Sequence, residues 1–305
     1  MGINILVIGG SYFVGRYFSS LSSNIRNLTL HVVNRGNFKL SLPNVVEYVC
    51  DRHECDKLIQ LLPDLHFDAV VDFCGYQAGE IETLFDLLGG RIDQYIFFST
   101  ISICDPFIQG LKTESSPLAD LPLTSTHPVL NYLCQKALLE KELRSCCGRQ
   151  NIPWTIFRPS FIYGPFNYAP RESFYIKSVI EGTPLPFPVD ASAEFSMVYV
   201  EDCARAVYAV INKSEAYNRI YNLAAPEHIT YSRLFDELRL CNGSSFSIHS
   251  VTIAEVKRDS IPLPFPLDIN DLSDGNLISE ILGFQYTPFS EGFMNTFKSF
   301  SKIYS

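Results

Sequence analysis

The sequence lacks several features that define whole classes of protein. No apolar run in its 305 residues reaches the roughly 18 residues of a transmembrane helix, so no membrane association is expected. The nine cysteines show no CxxC spacing, so no metal site is predicted, and their odd number and scatter favour reduced thiols in a cytoplasmic protein. Positive charge is scarce, because 24 Lys and Arg residues against 33 Asp and Glu residues leave a net charge of −9. A protein that follows a phosphate backbone needs the opposite balance, so nucleic acid is not expected as a partner.

Targeting signals and repeats are also missing. The chain enters an apolar segment at residue 3 without a basic leader, and Met1-Gly2 is not followed by Ser or Thr at position 6. The sequence therefore predicts neither a signal peptide nor myristoylation. No internal repeat or low-complexity tract is visible. With 47% hydrophobic and 19% charged residues, the chain can instead bury a substantial core.

Short apolar runs alternate with helical patterns over the first half of the chain. Six strands are predicted at 3–8, 28–33, 45–49, 68–73, 94–99 and 154–157, and four helices at 12–22, 53–62, 80–88 and 132–146. This alternation with short connections predicts a Rossmann-like α/β fold with a doubly wound parallel sheet.

The pattern changes after Gly164-Pro165, where several prolines break the chain into loops. A helix is predicted near 174–181, and a strand near 197–200, a helix near 202–212 and a strand at 220–223 are expected to rejoin the first domain. We therefore predict a dinucleotide-binding domain over 1–165, rejoined by about 196–224. Residues 166–195 and 225–305 would form a smaller, mixed, substrate-binding part.

A glycine-rich turn links the first strand to the first helix. Its sequence is Gly9-Gly10-Ser11-Tyr12-Phe13-Val14-Gly15, and its position after the first strand suits a pyrophosphate held by the free N–H groups at the helix start. Gly9 permits the tight turn, and Gly15 lets the helix pack on the strand. Tyr12 stands where a middle glycine is usual, so its side chain must point away from the phosphates or the cofactor is displaced. An ordinary glycine turn without a ligand is the alternative.

Residues at the ends of the next strands predict which dinucleotide binds. An acid for the adenosine ribose of NAD is expected after strand 2, but Asn34-Arg35 stand there, and an arginine favours NADP slightly without excluding NAD. The alternative is a solvated loop arginine. Asp51 could accept from the adenine amino group, and Cys74-Gly75 would line the ribose side. Arg52 and Ser99 complete the cofactor residues predicted along these strand ends.

Tyr132 and Lys136 are one helical turn apart and so share a face. Free tyrosine has a pKa of about 10, and a nearby cation lowers it. Tyr132 could then exchange a proton with a substrate hydroxyl while a hydride moves to or from a nicotinamide ring. Thr100, at the end of strand 5, is predicted to hydrogen-bond the reacting oxygen. Ser99 and Ser102 are the alternative candidates for this role. A capped strand end is the structural alternative for Thr100.

Taken in chain order, these motifs resemble those of the extended short-chain dehydrogenase/reductases, the NAD-dependent epimerase/dehydratase family. The resemblance covers residues 3–223, and Tyr12 and Asn34-Arg35-Gly36 are typical of a divergent branch that includes plant chloroplast stem-loop RNA-binding relatives. Further matching segments are Tyr95-Ile96-Phe97-Phe98-Ser99-Thr100, Glu140, Arg158-Pro159-Ser160-Phe161-Ile162-Tyr163-Gly164-Pro165, 195–202 and Tyr221-Asn222-Leu223.

The resemblance implies residue roles. Tyr132 would be the catalytic base, Lys136 its partner and Thr100 the third member. Pro159 and Ile162 would line the cofactor. Substrate contacts would come from Tyr76, Ser102, Tyr163, Asn167, Tyr168 and Arg171. Lys257 and Arg258 are weaker candidates, and a surface position is the alternative for each.

The resemblance also implies a nucleotide-sugar substrate. The first expectation is an epimerase that works through a transient 4-keto intermediate, and the alternatives are an NADPH-dependent ketosugar-nucleotide reductase or a non-catalytic NAD(P)- or RNA-binding relative. Ile101-Ser102 replace the Asp-Glu pair that follows the catalytic hydroxyl in 4,6-dehydratases, which disfavours dehydration. Cys104 replaces a tyrosine of the same loop, which puts the substrate pocket in doubt. A homodimer through helices 80–90 and 132–146 is expected by analogy.

Overall fold

A computed structural model describes residues 2–304. Strands and helices alternate through the first half of the chain because short β-branched and aromatic runs are separated by amphipathic segments. In chain order the elements are β1 (Ile3–Ile8), α1 (Phe13–Ser22), β2 (Leu28–Asn34), β3 (Val45–Val49), α2 (Cys55–Leu61), β4 (Ala69–Asp72), α3 (Glu80–Leu88), β5 (Tyr95–Phe98), α4 (Pro128–Gln150) and β6 (Trp154–Pro159).

Shorter elements make up most of the second half. They are β7 (Phe161–Tyr163), α5 (Glu172–Glu181), β8 (Leu185–Pro188), β9 (Phe195–Tyr199), α6 (Val200–Val210), β10 (Arg219–Leu223), β11 (His228–Ile229), α7 (Tyr231–Asn242), β12 (Ile248–Val251), α8 (Ile253–Asp259), α9 (Asn276–Leu282) and α10 (Phe289–Tyr304). Two single turns of 3-10 helix, Ile101–Ile103 and Ser214–Ala216, lie between them.

The central sheet has seven strands in the order β10-β6-β5-β4-β1-β2-β3, and all its pairs are parallel. On one side of β1 the strands follow in chain order as β2 and β3. On its other side they follow in chain order as β4, β5, β6 and β10. The direction therefore reverses between β1 and β4, and the crevice outside their carboxyl ends is where such sheets bind ligands.

Each face of the sheet is covered by helices and carries its own apolar cluster. One cluster joins α1 and α6 to the sheet through Phe18 and Val207, and the other joins α2, α3 and α4 through Leu58, Phe85 and Leu143. The predicted doubly wound parallel sheet is confirmed. No helix within 2–304 is long and apolar enough to cross a membrane.

The remaining strands form two small sheets. One has the order β11-β9-β7 and the other pairs β12 with β8. Aromatic rings fill the space beneath them, with Phe195 stacked on Phe265 at 4.7 Å and Tyr175 edge-on to Phe235 at 5.7 Å. This packing belongs to the same cluster that contains α1 and α6, so the smaller mixed part shares a core with the sheet.

Two elements differ in detail from the sequence expectations. The strand predicted near 197–200 is β9, which lies outside the central sheet and pairs with β7 in parallel and with β11 in antiparallel fashion. The helix expected at 132–146 is longer, Pro128–Gln150. It begins earlier because Pro128 suits a first helical position and the His127 side chain accepts from the Leu130 N–H.

Candidate active site

A cleft of about 1010 Å³ opens at the carboxyl edge of the sheet, at the switch between β1 and β4. The segments that follow β1, β2, β3, β4 and β5 form one wall. The first turns of α4 and the chain from Pro159 to Arg171 form the other. Ligand pockets generally measure about 300–1,000 Å³, so the cleft has room for two small molecules side by side.

The turn between β1 and α1 has the backbone that a phosphate site needs. Gly9 has a φ of 88°, and a Cβ there would lie 2.7 Å from Cys74 Sγ, while a Cβ on Gly15 would collide with the Gly9 carbonyl oxygen. Helix α1 has no side-chain cap at Tyr12, so its first N–H groups stay available to an anion. Phe13 takes a φ of 43°, a sparsely populated conformation for a bulky residue.

The Tyr12 side chain points out of this turn. Its ring is stacked on Phe38 with centroids 4.7 Å apart and lies 5.6 Å from the ring of Tyr168. The expectation that a side chain at this position must avoid the phosphates therefore agrees with the geometry.

Lys136 and Tyr132 project from α4 into the cleft beside the end of β5. Lys136 Nζ donates to the Phe98 carbonyl at 2.7 Å and lies 5.8 Å from the centroid of the Tyr132 ring. Lys136 is buried, and burial lowers the pKa of its ammonium group to about 8. The amine is therefore held in place by a backbone carbonyl rather than by a carboxylate.

The Tyr132 ring is 38% exposed on the cleft wall. Desolvation raises the pKa of its hydroxyl to about 12, while the Arg171 charge and a hydrogen bond with Thr100 act in the opposite direction. The groups that lower this pKa are thus Arg171 and Thr100. The sequence had assigned that effect to Lys136.

Hydroxyl groups line the end of β5. Thr100 Oγ1 accepts from the Ser102 N–H at 3.3 Å, which orients the Thr100 side chain as the cap of the following 3-10 turn. The buried Ser99 Oγ has no hydrogen-bond partner within the described chain, 2–304. A buried polar atom without a partner is costly, and Ser99 lines the cleft, so a bound ligand could supply the missing partner.

An ion-paired network underlies the cleft beside β3 and β4. Arg52 donates to both carboxylate oxygens of Asp72 at 3.0 Å, and Asp72 also accepts from the Tyr95 hydroxyl at 2.8 Å. Asp51, next to Arg52, accepts from the His53 ring at 2.7 Å. Arg52 was predicted to contact the cofactor, but both ends of its guanidinium are engaged by the protein, which makes it primarily a support for the cleft floor.

Asn34 and Arg35, at the end of β2, differ in whether their side chains are engaged by other protein groups. The Asn34 side chain accepts from the Gly36 N–H at 2.7 Å and donates to Glu47 at 3.2 Å, so it shapes the loop. Arg35 is exposed and makes neither a hydrogen bond nor an ion pair within residues 2–304. Of this pair, Arg35 is the residue available to a ligand.

The loop between β7 and α5 is organised by a buried carboxylate. Glu172 accepts from the Gly164 N–H at 2.9 Å and from Asn167 Nδ2 at 3.0 Å. Asn167 Oδ1 in turn accepts from the Ala169 N–H at 3.0 Å. Asn167 lines the cleft as predicted, but its amide is committed to the loop. Tyr168 and Arg171 remain as the side chains that this loop offers to a ligand.

The structure brings most of the predicted residues to this one cleft. Those on its walls are Gly9, Ser11, Tyr12, Phe13, Val14, Gly15, Asn34, Arg35, Asp51, Arg52, Cys74, Tyr76, Ser99, Thr100, Ser102, Tyr132, Lys136, Pro159, Ile162, Asn167, Tyr168 and Arg171. Their contacts with a ligand stay predictions.

Three predicted residues do not reach the cleft, and these assignments are corrected. Tyr163 is 2% exposed and packs edge-on against Phe289 in the core. Arg258 lies on α8 and donates twice to neighbouring Asp259. Gly75 packs against β5 and α4, since a Cβ there would lie 2.8 Å from the Phe97 ring and 3.6 Å from Leu139. Lys257, like Arg258 a weaker candidate, is ion-paired with Asp268.

Several cleft residues were not indicated by any motif. They include Asn37, Phe38, His53, Gln77, Leu133 and Asp271. Phe38 follows the β2 turn by two residues, and its place opposite Tyr12 depends on the path of a loop that has no periodic pattern. Asp271 comes from the C-terminal part and reaches the site only through tertiary packing.

Comparison with known proteins places the fold and motifs in a family. The model of the NAD dependent epimerase/dehydratase family matches residues 5–224. Among curated relatives, the chloroplast stem-loop binding protein of 41 kDa b of Arabidopsis thaliana is 26% identical over 243 residues, 75% of this chain and 61% of that protein. The dTDP-glucose 4,6-dehydratase of Neisseria meningitidis is 28% identical over 258 residues, 70% of each chain.

Solved structures show the same fold at low identity. The UDP-glucose 4-epimerase of Thermotoga maritima, solved with UDP-glucose, superposes with a TM-score of 0.80 at 16% identity, over 99% of this chain and all of that one. The dTDP-glucose 4,6-dehydratase of Bacillus anthracis, solved with NAD, gives 0.79 at 19% identity, over 99% and 97% of the two chains. The chain belongs to the NAD dependent epimerase/dehydratase family. The predicted family is therefore confirmed.

Proposed function

We propose that this protein is an NAD(P)-dependent oxidoreductase of nucleotide sugars, and specifically an epimerase that works through a transient 4-keto intermediate. The observation that carries the proposal is the assembly of Tyr132, Thr100 and Lys136 in one cleft, beside an anion-binding turn and at the switch point of the sheet. The solved structures with this fold include epimerases and dehydratases of nucleotide sugars.

The cleft fits a nicotinamide dinucleotide at two independent points. The first N–H groups of α1 have no side-chain cap at Tyr12 and are therefore available to an anion, and the buried Ser99 hydroxyl lacks a partner within residues 2–304. We infer that this turn would hold the pyrophosphate, Asp51 the adenine end and Lys136 the nicotinamide ribose. When bound, the dinucleotide supplies the acceptor and then the donor of a hydride.

The proton steps follow from the positions of the side chains. Thr100 and Tyr132 line the same cleft, and Thr100 lowers the pKa of the Tyr132 hydroxyl, so a sugar hydroxyl placed near both side chains would contact both oxygens. Tyr132 would take the proton of that hydroxyl as the ketone forms and return it as the ketone is reduced. Arg171, which lowers the pKa of Tyr132, would favour the phenolate and also suit an anionic substrate group.

Epimerisation is favoured over dehydration by the residues next to Thr100. Removal of water from the sugar needs an acid and a base beside the reacting carbons, but Ile101 is buried and apolar and Ser102 has no ionisable group. Epimerisation needs only a ketone that can present either face to the hydride. The volume of the cleft, about 1010 Å³, leaves space for that rotation beside a dinucleotide.

The experiment has two stages. Small molecules released from the denatured protein are analysed by mass spectrometry for NAD(H) and NADP(H). UDP-glucose, UDP-glucuronate and dTDP-glucose are then each incubated with the protein, and the expected result is a C4 epimer without net oxidation or reduction of added cofactor. Tyr132→Phe should lose about 10²–10⁴-fold in activity. Tyr208→Phe is the matched control, because Tyr208 is 39% exposed and lies outside the cleft.

Arg35 supports a second candidate, an NADPH-dependent ketosugar-nucleotide reductase. An unengaged arginine after β2, where NAD-binding chains carry an acid, suits a 2′-phosphate. This function predicts stoichiometric oxidation of NADPH in the presence of a 4-keto nucleotide sugar, which would contradict the epimerase.

A non-catalytic role is a further alternative, supported by the 26% identity to a chloroplast stem-loop binding protein. It predicts salt-dependent affinity for RNA and no conversion of any nucleotide sugar. The net charge of −9 disfavours it.

We also propose a cytoplasmic homodimer that pairs α3 and α4. These helices already lie together, because Glu142 on α4 accepts from the Gly79 and Glu82 N–H groups at the start of α3. Sedimentation velocity tests the proposal, and a concentration-independent monomer would contradict it.

A further inference from the structure

Three aromatic rings form a continuous stack at the mouth of the cleft. The Tyr12 ring lies parallel to the Phe38 ring, with centroids 4.7 Å apart and planes inclined by 8°. On its other side it faces Tyr168 at 5.6 Å and 22°, and Tyr168 also meets the edge of Phe13 at 6.0 Å. These distances are those of favourable aromatic pairs.

The stack joins segments that are far apart in the chain. Tyr12 belongs to the turn after β1, Phe38 to the loop after β2, and Tyr168 to the loop between β7 and α5. All three rings line the cleft. They are 39%, 48% and 65% exposed, so the stack is an exposed bridge across an opening and not part of the buried core.

Arg16, one turn into α1, independently connects the same two outer loops. Its guanidinium lies 5.1 Å from the centroid of the ring of Phe166, which precedes Tyr168 by two residues. It also donates to the carbonyl of Lys39, which follows Phe38 directly. Two separate sets of contacts thus hold the loop after β2 and the loop after β7 against the start of α1.

We propose that Tyr12, Phe38 and Tyr168 form an aromatic clasp that closes the cleft over the pyrophosphate of a bound dinucleotide and slows its release. The inference rests on the proposed dinucleotide binding. A pyrophosphate held at the Gly9–Gly15 turn lies beside Tyr12 in the same turn, so the rings that Tyr12 joins span the cleft next to it. The bridge opens when either outer ring, Phe38 or Tyr168, leaves Tyr12.

The clasp explains why position 12 carries a tyrosine where a glycine is usual in this turn. A glycine there would leave the turn equally able to bind phosphate but would remove the central ring of the stack. The base of the moving loop is held by the buried Glu172 carboxylate, so opening can be confined to the exposed tip that carries Tyr168. Slow release suits an enzyme that reuses one cofactor in both half-reactions.

The test measures release of NADH and NADPH from the full-length protein. Each nucleotide is preloaded and chased with excess oxidised nucleotide, and its fluorescence is followed by stopped flow. Tyr12→Ala removes both aromatic pairs of the stack. Phe38→Ala removes only the Tyr12–Phe38 pair and leaves the Gly9–Gly15 turn unchanged. Tyr12→Phe keeps the ring. Phe107→Ala is the control, because Phe107 is 81% exposed and lies away from the cleft.

The clasp predicts release about ten- to a hundredfold faster for Tyr12→Ala and about three- to tenfold faster for Phe38→Ala, since each aromatic pair contributes to the barrier. Tyr12→Phe and Phe107→Ala should match the unmodified protein. Unchanged release from Phe38→Ala, even where Tyr12→Ala no longer binds, overturns the clasp and leaves the proposed function standing. An unmodified protein that binds neither nucleotide overturns both.

Discussion

The buried Glu172 predicts an unusual dependence of stability on pH. Its carboxyl group is fully buried, and burial raises its pKa from 4.5 to about 7 although the Gly164 and Asn167 hydrogen bonds favour the ionised form. The folded protein therefore holds this proton over a pH range in which the unfolded chain has released it. Stability from this group is complete below about pH 4.5 and is lost as the pH rises to about 7.

The size of the effect follows from the shift in pKa. A shift from 4.5 to about 7, at about 1.4 kcal/mol per pH unit, corresponds to about 3 kcal/mol of unfolding free energy. Glu172→Gln cannot ionise and should be free of this loss. The substitution also changes the unfolding free energy by an amount that does not depend on pH, because Asn167 Nδ2 loses one carboxylate acceptor. The difference between Glu172→Gln and the unmodified protein should thus shift in favour of the variant by about 3 kcal/mol between pH 4.5 and pH 8.

The assay is urea unfolding followed by intrinsic fluorescence at half-unit steps from pH 4.5 to 8. Glu181→Gln is the matched control, because Glu181 ends the same helix with its side chain 48% exposed, and its difference from the unmodified protein should stay nearly constant. A Glu172→Gln difference that is equally flat over this range would refute the reasoning that the carboxyl group is protonated by burial.

Three further predictions concern the turn, the core and the cofactor. Gly15→Ala should abolish dinucleotide binding in an equilibrium titration, because its Cβ collides with backbone, whereas Gly148→Ala, with nothing within 4 Å, should keep it. Glu140→Ala should lower the unfolding free energy by about 3–5 kcal/mol, because it leaves the buried Arg158 without its two carboxylate bonds. A loss below 1 kcal/mol in urea would show that Arg158 finds another partner. Arg35→Ala should weaken NADPH about tenfold relative to NADH if it binds a 2′-phosphate, and an equal effect on both would remove that role.

The fold could be predicted from sequence where the signal is local. The strands of the central sheet are short apolar runs bounded by turn residues, and their positions agree with the structure to within about two residues. The destination of β9 could not be predicted, because a buried apolar strand pairs equally well in either sheet. Its place depends on β7 and β11, which are too short to leave a pattern.

The parts of the site that could be predicted are those in which residues of suitable chemistry lie at a fixed spacing within one local element. Tyr132, Lys136 and the glycine turn have motifs whose spacing is set by one helix or one strand end. Tyr163 shows the limit, because the preceding residues Phe161 and Ile162 reach the cleft. The Tyr163 ring instead packs against Tyr199 and Phe289 in the core, and these tertiary contacts leave no local pattern. Phe38 was missed because its contact with Tyr12 depends on the path of a loop that has no periodic pattern.

Lys136 differs from the other buried cations of the described part of the chain in lacking a carboxylate partner, and this difference supports a ligand in the cleft. Other buried cations have a carboxylate partner. Arg158 lies 2.6 Å from Glu140 away from the cleft, and Lys112 lies 2.6 Å from Asp271 at its edge. Lys136 is as deeply buried, yet its ammonium group donates to a carbonyl and makes no ion pair with any residue of 2–304. A cation in this state loses affinity for its proton, as its lowered pKa shows. A chain that pairs its other buried cations but leaves this one without a carboxylate has kept a donor for something that enters the cleft, and the hydroxyls of a ribose are acceptors that such a donor fits.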